Sequence, residues 1–198
     1  MTIDTQASDA DLIVASLAEP DLFTAVFDRH SAEILRYVYA RLGPDLAEDV
    51  TAETFLAAFG CRDRYDGACS DARPWLYGIA VRQISRHRRV EARRLRLLRS
   101  ALADGPAPDH GDRVAERVTA ARLGPRLAAV VAALPRQDRE LLLLIAWAEL
   151  SYAEAAAALG TTSSAVKARL HRIRVRMRQQ LGGSNPMNDP MDEENSDG

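Results

Sequence analysis

Apolar residues recur at three- and four-residue steps along most of this chain, and breaks in that period mark its elements. Leu22, Phe23, Val26, Phe27, Ile34, Leu35, Val38, Tyr39 and Leu42 form one broad stripe. It predicts a helix over about 21–42, stopped by Gly43-Pro44. Asp45, three residues before Glu48, predicts a capping-box-like start for a second helix running to about Phe59. A loop rich in Gly, Asp and Ser covers 60–73. Pro74 suits the first turn of a third helix, whose Trp75, Leu76, Ile79, Ala80 and Ile84 make its buried stripe. That helix runs on into a block of arginines.

From about Leu98 to Leu123 the period is lost. ALADGPAPDHGDR carries two prolines and two glycines, which predicts a linker between two modules. The second module is denser in signals. Leu127, Val130, Val131 and Leu134 make one helix face, ended by Pro135, and Leu141, Leu144, Ile145 and Ala148 make the next. Ser151 and Glu154 read as a capping box for a short Ala-rich helix over 151–159, closed by Gly160 where a left-handed residue is usually required. Thr161, Thr162 or Ser163 can cap a last helix that buries Val166, Leu170, Ile173 and Met177. The polar, acidic stretch 182–198 has the composition of a disordered tail. The pattern predicts an all-α chain of two helical domains joined by a flexible linker, the C-terminal one a helix-turn-helix. Their boundaries fall at 20–97, 98–122 and 123–181.

Composition agrees with helix: Ala and Leu abound, while aromatics are 6% of the 198 residues and β-branched residues are sparse. No apolar run approaches the ~20 residues that cross a bilayer, and the acidic N-terminal segment does not read as a signal peptide. We therefore expect no membrane insertion and a cytoplasmic location. Cys61 and Cys69, the only cysteines, make no metal signature.

A net charge of −2 argues against a polyanionic partner until its distribution is considered. Arg82, Arg86, Arg88, Arg89, Arg93, Arg94, Arg96 and Arg99 crowd one segment with a single acid, Glu91. Lys167, Arg169, Arg172, Arg174, Arg176 and Arg178 occupy the last helix with no acid. The opposing charge sits mainly at the two ends of the chain. Two basic blocks on an acidic background suit a protein that grips a polyanion at two points; solvated helix faces are the plainer alternative.

The C-terminal helix pair carries the sharpest chemistry. In a helix-turn-helix the second helix enters the major groove and its N-terminal residues meet base edges. By that geometry Lys167, Ala168, His171 and Arg172 face bases, while Ser163, Ser164, Arg169 and Arg174 contact the backbone. Catalysis finds little support: His30, His87, His110 and His171 are scattered, and no nucleophile triad, Gly-rich phosphate loop or metal-ligand spacing appears. We expect neither catalytic residues nor metal nor cofactor.

LPRQDRELLLLIAWAELSYAEAAAALGTTSSAVKARLHRIRVRMRQQL resembles region 4 of the extracytoplasmic-function (ECF) sigma factors of the sigma-70 family, which reads the promoter −35 element. AEDVTAETFLAAF resembles that family's region 2.2, and RPWLYGIAVRQISRHRR its regions 2.3–2.4, in family order and spacing. The resemblance covers most of 20–181. It implies a non-enzymatic sigma factor that binds core RNA polymerase, through its β′ clamp helices and β flap, and promoter DNA. Glu48, Asp49, Glu53, Phe55 and Leu56 match the polymerase-docking surface, with Phe55 or Leu56 as apolar anchor. The family's common glutamine is Ala52 here, which removes one polar contact. Tyr65, Arg82, Arg86, Arg88 and Arg89 match the part that captures the melted −10 strand, by stacking and a positive track. Arg82 and Arg86 stand where the family often has Asn and Asp, so the identity of the flipped base is left open. So is the presence of an anti-sigma factor. The alternatives are a helix-turn-helix regulator with a helical sensory domain, and a helical interaction protein that does not touch DNA.

Overall fold

The computed structural model describes residues 7–102 and 124–181. Eight α-helices are present among them: α1 (Asp9–Ala15), α2 (Phe23–Leu42), α3 (Pro44–Gly60), α4 (Arg73–Leu102), α5 (Pro125–Ala132), α6 (Arg136–Ala146), α7 (Tyr152–Leu159) and α8 (Ser163–Leu181), with 3₁₀ turns at Pro20–Leu22 and Arg62–Arg64. No strand occurs among the described residues. In the first module α2, α3 and α4 pack pairwise and α1 lies against α2. In the second, α8 packs on α5, α6 and α7. The tail at 182–198 and most of the expected linker lie outside the described residues, and α4 itself continues to Leu102, past Leu98.

Local starts and stops differ from the sequence reading in three places. The second helix opens at Pro44 with Gly43 (φ 83°) as its cap and no side-chain cap, so Asp45 is not capping. The first long helix is preceded by the Pro20–Leu22 turn and begins at Phe23. Helix α1 was not expected at all. Ser8 and Asp11 cap it reciprocally: Ser8 Oγ accepts from Asp11 N at 3.2 Å, and Ser8 N donates to Asp11 Oδ2 at 3.1 Å.

The core of the first module contains polar groups that the apolar stripe did not show. Phe27 and Tyr39 are exposed, whereas His30 and Arg41 of α2 are buried. His30 sits between two carboxylates, Nε2 2.7 Å from Asp9 Oδ2 and Nδ1 2.9 Å from Glu33 Oε1. Asp9 also accepts from Arg29 Nη1 (3.0 Å) and from the Ala72 amide (3.0 Å). One carboxylate thus ties α1 to α2 and to the start of α4. Burial alone would raise the Asp9 carboxyl, but hydrogen bonds from His30, Ala72 and Arg29 hold it far below the usual carboxylate range. Burial would likewise lower His30, yet its bonds to Asp9 and Glu33 push it up to about 9. Asp71 brings a third ligand-type oxygen within 4.8 Å of those of Asp9 and His30. A protonated imidazole with both N–H groups engaged has no lone pair for a metal, so these contacts describe a structural clamp.

The His30 clamp has a pH signature. Its folded pKa lies above the unfolded value of 6.5, so its contribution is complete below about pH 6.5 and disappears as pH rises through 9. Asp9 contributes above its unfolded value of 3.8 and is lost as pH falls below it. Thermal unfolding should therefore show stability falling by on the order of 2 kcal/mol from pH 6.5 to 9.5. His30→Gln should remove most of that slope. An unchanged slope in the variant would rule out His30 as its source.

Candidate nucleic-acid interface

Helix α7 is fixed at both ends. Ser151 Oγ accepts from Glu154 N at 3.2 Å and Ser151 N donates to Glu154 Oε2 at 2.7 Å, which holds the Glu154 carboxyl below its usual range. Gly160 adopts the left-handed conformation (φ 63°), and the Thr161 amide reaches back to the Ala156 carbonyl at 2.9 Å. Of the three cap candidates for α8, Thr162 serves: its Oγ1 accepts from Ala165 N at 3.2 Å. Val166, Leu170, Ile173 and Met177 are all buried, which turns Lys167, Ala168, His171 and Arg172 to solvent. Ser164 is also exposed and Ser163 half-buried.

The two arginines expected to contact the DNA backbone already have partners within the protein. Arg169 Nη2 donates to Gln137 Oε1 (2.7 Å) and its Nε lies 2.9 Å from Asp138 Oδ1; Arg174 Nη2 donates to the Tyr152 hydroxyl at 3.1 Å. Arg136, Arg169, Arg172 and Arg176 line a cleft of about 420 Å³ between the start of α6 and α8, with Asp138 as its one acid. Arg136 and Arg176 line this cleft but are not among the residues the sequence pointed to. Arg176 belongs to the basic run, but Arg136 is 33 or more residues away and no local pattern links it to α8.

In the first module Arg82 and Arg86 are exposed along α4. Arg88 Nη2 donates to the Arg41 carbonyl at 2.7 Å, and Arg89 Nε to the Ser85 carbonyl of its own helix at 3.2 Å. Tyr65 is half-buried; its hydroxyl donates to the Cys69 carbonyl and its ring meets Trp75 edge-on, centroids 5.0 Å apart. Burial raises the Tyr65 hydroxyl above its ordinary range. Tyr77 is core and Trp75 half-buried.

On α3, Glu48 and Asp49 are exposed, while Glu53 Oε2 lies 2.8 Å from His87 Nε2 on α4. Phe55 and Leu56 separate cleanly. Phe55 is 5% exposed and packs edge-on against Phe27 at 4.9 Å, whereas Leu56 is 71% exposed. Leu56, Phe27, Ala52 and Phe59 border an open apolar groove between α2 and α3. Of the two anchor candidates, the one that faces solvent is therefore Leu56, with Phe55 as its support.

A capped helix-turn-helix with a solvent-facing basic edge, joined to a helical module bearing a second arginine track, defines a two-module DNA-binding protein. The chain matches the family models for sigma-70 region 2 over residues 26–94 and sigma-70 region 4 over residues 126–177. It is 32% identical over 175 residues to the probable RNA polymerase sigma-C factor of Mycobacterium bovis, covering 86% of this chain and 89% of that one. It is 31% identical over 156 residues to the ECF RNA polymerase sigma factor BldN of Streptomyces coelicolor, 77% of this chain and 58% of the relative. Among solved structures it resembles CnrH in complex with the cytosolic domain of CnrY, with TM-score 0.61, 25% identity, and 89% and 99% of the two chains covered. The sigma factor RpoE of Bartonella quintana in complex with the anti-sigma factor NepR shares the fold at TM-score 0.59, 20% identity, and 82% and 98% coverage. The chain belongs to the ECF sigma factors of the sigma-70 family. It directs core RNA polymerase to promoters.

The burial of Phe55 and exposure of Leu56 make a direct stability test. Phe55→Ala should cost about 3–5 kcal/mol in chemical denaturation, and Leu56→Ala no more than about 0.5 kcal/mol. Equal losses would contradict the assignment of support and surface.

Proposed function

We propose a division of labour between the two modules, carried by the exposed Lys167–Arg172 edge of α8. Lys167, Ala168, His171 and Arg172 read base edges of the −35 duplex in the major groove. Ser163 and Ser164 approach the phosphates, and Arg169 and Arg174 join them from positions fixed by Asp138 and Tyr152. Arg82 and Arg86 form the open part of the −10 track, with Arg88 and Arg89 behind them on α4. Tyr65 supplies an aromatic edge at the mouth of that track, held by Trp75. Glu48, Asp49 and Glu53 face a basic partner on the polymerase β′ clamp helices, with Leu56 as apolar anchor and Phe55 beneath it.

RNA synthesis belongs to the polymerase; this chain supplies recognition and strand capture. No described helix is long and apolar enough to cross a membrane, and we place its action in the cytoplasm with the polymerase. RpoE of Bartonella quintana was solved with an anti-sigma factor, and we count such a regulator among the partners of this chain, beside the β flap for the second module. With α1 and the full length of α4 included, the first module runs over residues 9–102 and the second over 125–181.

Run-off transcription with purified core polymerase on fragments of the source genome tests the sigma assignment itself. Promoter-specific transcripts are expected only when the protein is added. Arg172→Ala should weaken binding to the −35 duplex by about ten-fold or more, for 1–3 kcal/mol per base contact, and leave core-polymerase binding intact. Leu56→Asp should do the reverse. Loss of both activities in either variant would refute the division.

A further inference from the structure

Helix α4 outruns the module it belongs to. Its last buried side chain is Ile84, at 1% exposure. From Arg89 to Leu98 every residue is exposed apart from a half-buried Leu95. Core packing therefore does not account for which residues stand on this outer part of the helix.

The arginines there are ordered. Arg82, Arg86, Arg89, Arg93 and Arg96 follow one another by four, three, four and three residues. On an α-helix those steps keep all five within a sector of about 80°, in a line about 21 Å long. All five are exposed. Glu91 is the one acid between residues 82 and 102, and it stands about 180° around the helix from Arg82. Among the described residues no ion pair reaches Arg82, Arg86, Arg93 or Arg96. Like charges at three- and four-residue spacing repel along a helix. The line thus opposes its own element until a polyanion lies along it.

The form of that polyanion follows from what the line lacks. Capture of a single strand calls for aromatic platforms beside the basic track, and α4 holds no Phe, Trp or Tyr after Tyr77. A duplex keeps its bases stacked inside and offers phosphates to a row of guanidinium groups. About 21 Å matches about six base pairs of duplex. A lipid surface fits less well. Val90, Leu97 and Leu98 are exposed, but Arg94 stands between Leu97 and Leu98 around the helix and Glu91 stands beside Leu98. Those charges interrupt the apolar side that an interfacial helix requires.

Resting on the assignment of Arg82 and Arg86 to the −10 element, we propose that Arg93 and Arg96, continued from Arg89, extend that track onto the double-stranded spacer immediately upstream. They hold its phosphates without regard to sequence. The outer part of α4 leads along the chain toward the module that reads −35, so the spacer is the DNA it meets. Affinity gained there is common to all promoters and leaves selection to the two elements.

The test uses holoenzyme assembled from core polymerase and the full chain, on a fragment that yields a run-off transcript with the wild type. Arg93→Gln/Arg96→Gln should lower the slope of log Kd against log salt by about 1.8, two phosphates at about 0.9 each. Between about 50 and 200 mM salt the wild type should then lose about ten-fold more affinity than the variant. Arg93→Lys/Arg96→Lys keeps the charges and should keep the slope. Neutral methylphosphonate linkages in about six spacer base pairs next to the −10 element should bring the wild type down to the variant and leave the variant unchanged. An unchanged slope in the Gln variant overturns the proposal, as does a methylphosphonate effect equal in both proteins. Binding of the wild type, but not of the Gln variant, to vesicles of anionic phospholipid with no change in the DNA slope would assign the helix to a lipid surface instead. Failure of every fragment in run-off transcription removes the sigma assignment itself, whereas the slopes bear on the spacer contact alone.

Discussion

The first module closes on a single carboxylate. Asp9 takes hydrogen bonds from His30, Arg29 and the Ala72 amide, so α1, α2 and the start of α4 converge on one buried charge. That charge is tolerable in the interior only because cationic and N–H donors surround it. The chain of contacts continues: His30 passes to Glu33, and Glu33 Oε2 lies 3.3 Å from Arg73 Nε. Arg73 then reaches the Ala148 carbonyl of the second module. The acids of the N-terminal segment, a counter-charge background when read as composition, include the residue that sets where α4 begins. Both proposed DNA surfaces are thereby referred to one frame.

Legibility in the sequence followed the range of the interactions. The α7–α8 pair could be read closely because its determinants are local: Ser151 with Glu154, Gly160 after the last turn, and four apolar residues at helical spacing. Helix α1 escaped because seven residues give too little period to register, and its cap closes with Asp11 in place of the usual Glu or Gln. Asp45 misled because the helix starts at Pro44 with Gly43 as its cap, which places the aspartate inside the first turn and not at the cap position. His30, Arg41, Arg139 and Glu140 are buried charged residues that no window could reveal. Arg41 finds Glu140 across 99 positions. The same limit left Phe55 and Leu56 as equal candidates, since neighbouring helical positions differ by a rotation that only the packing of α2 fixes.

Net charge and local charge answer different questions in this molecule. The overall balance of −2 limits indiscriminate attraction to nucleic acid, while the arginines of α4 and α8 concentrate positive potential at two surfaces. Within α8 the protein restrains part of that potential. Asp138 holds Arg169 at 2.9 Å and approaches Arg176 at 4.0 Å. A phosphate entering the cleft meets guanidinium groups already oriented by a carboxylate, which lowers the entropy lost on binding at the expense of some charge. On α4 there is no such restraint on Arg82 or Arg86 among the described contacts. Under the proposed assignment, the α4 surface attracts backbone strongly and the α8 surface offers a more defined geometry.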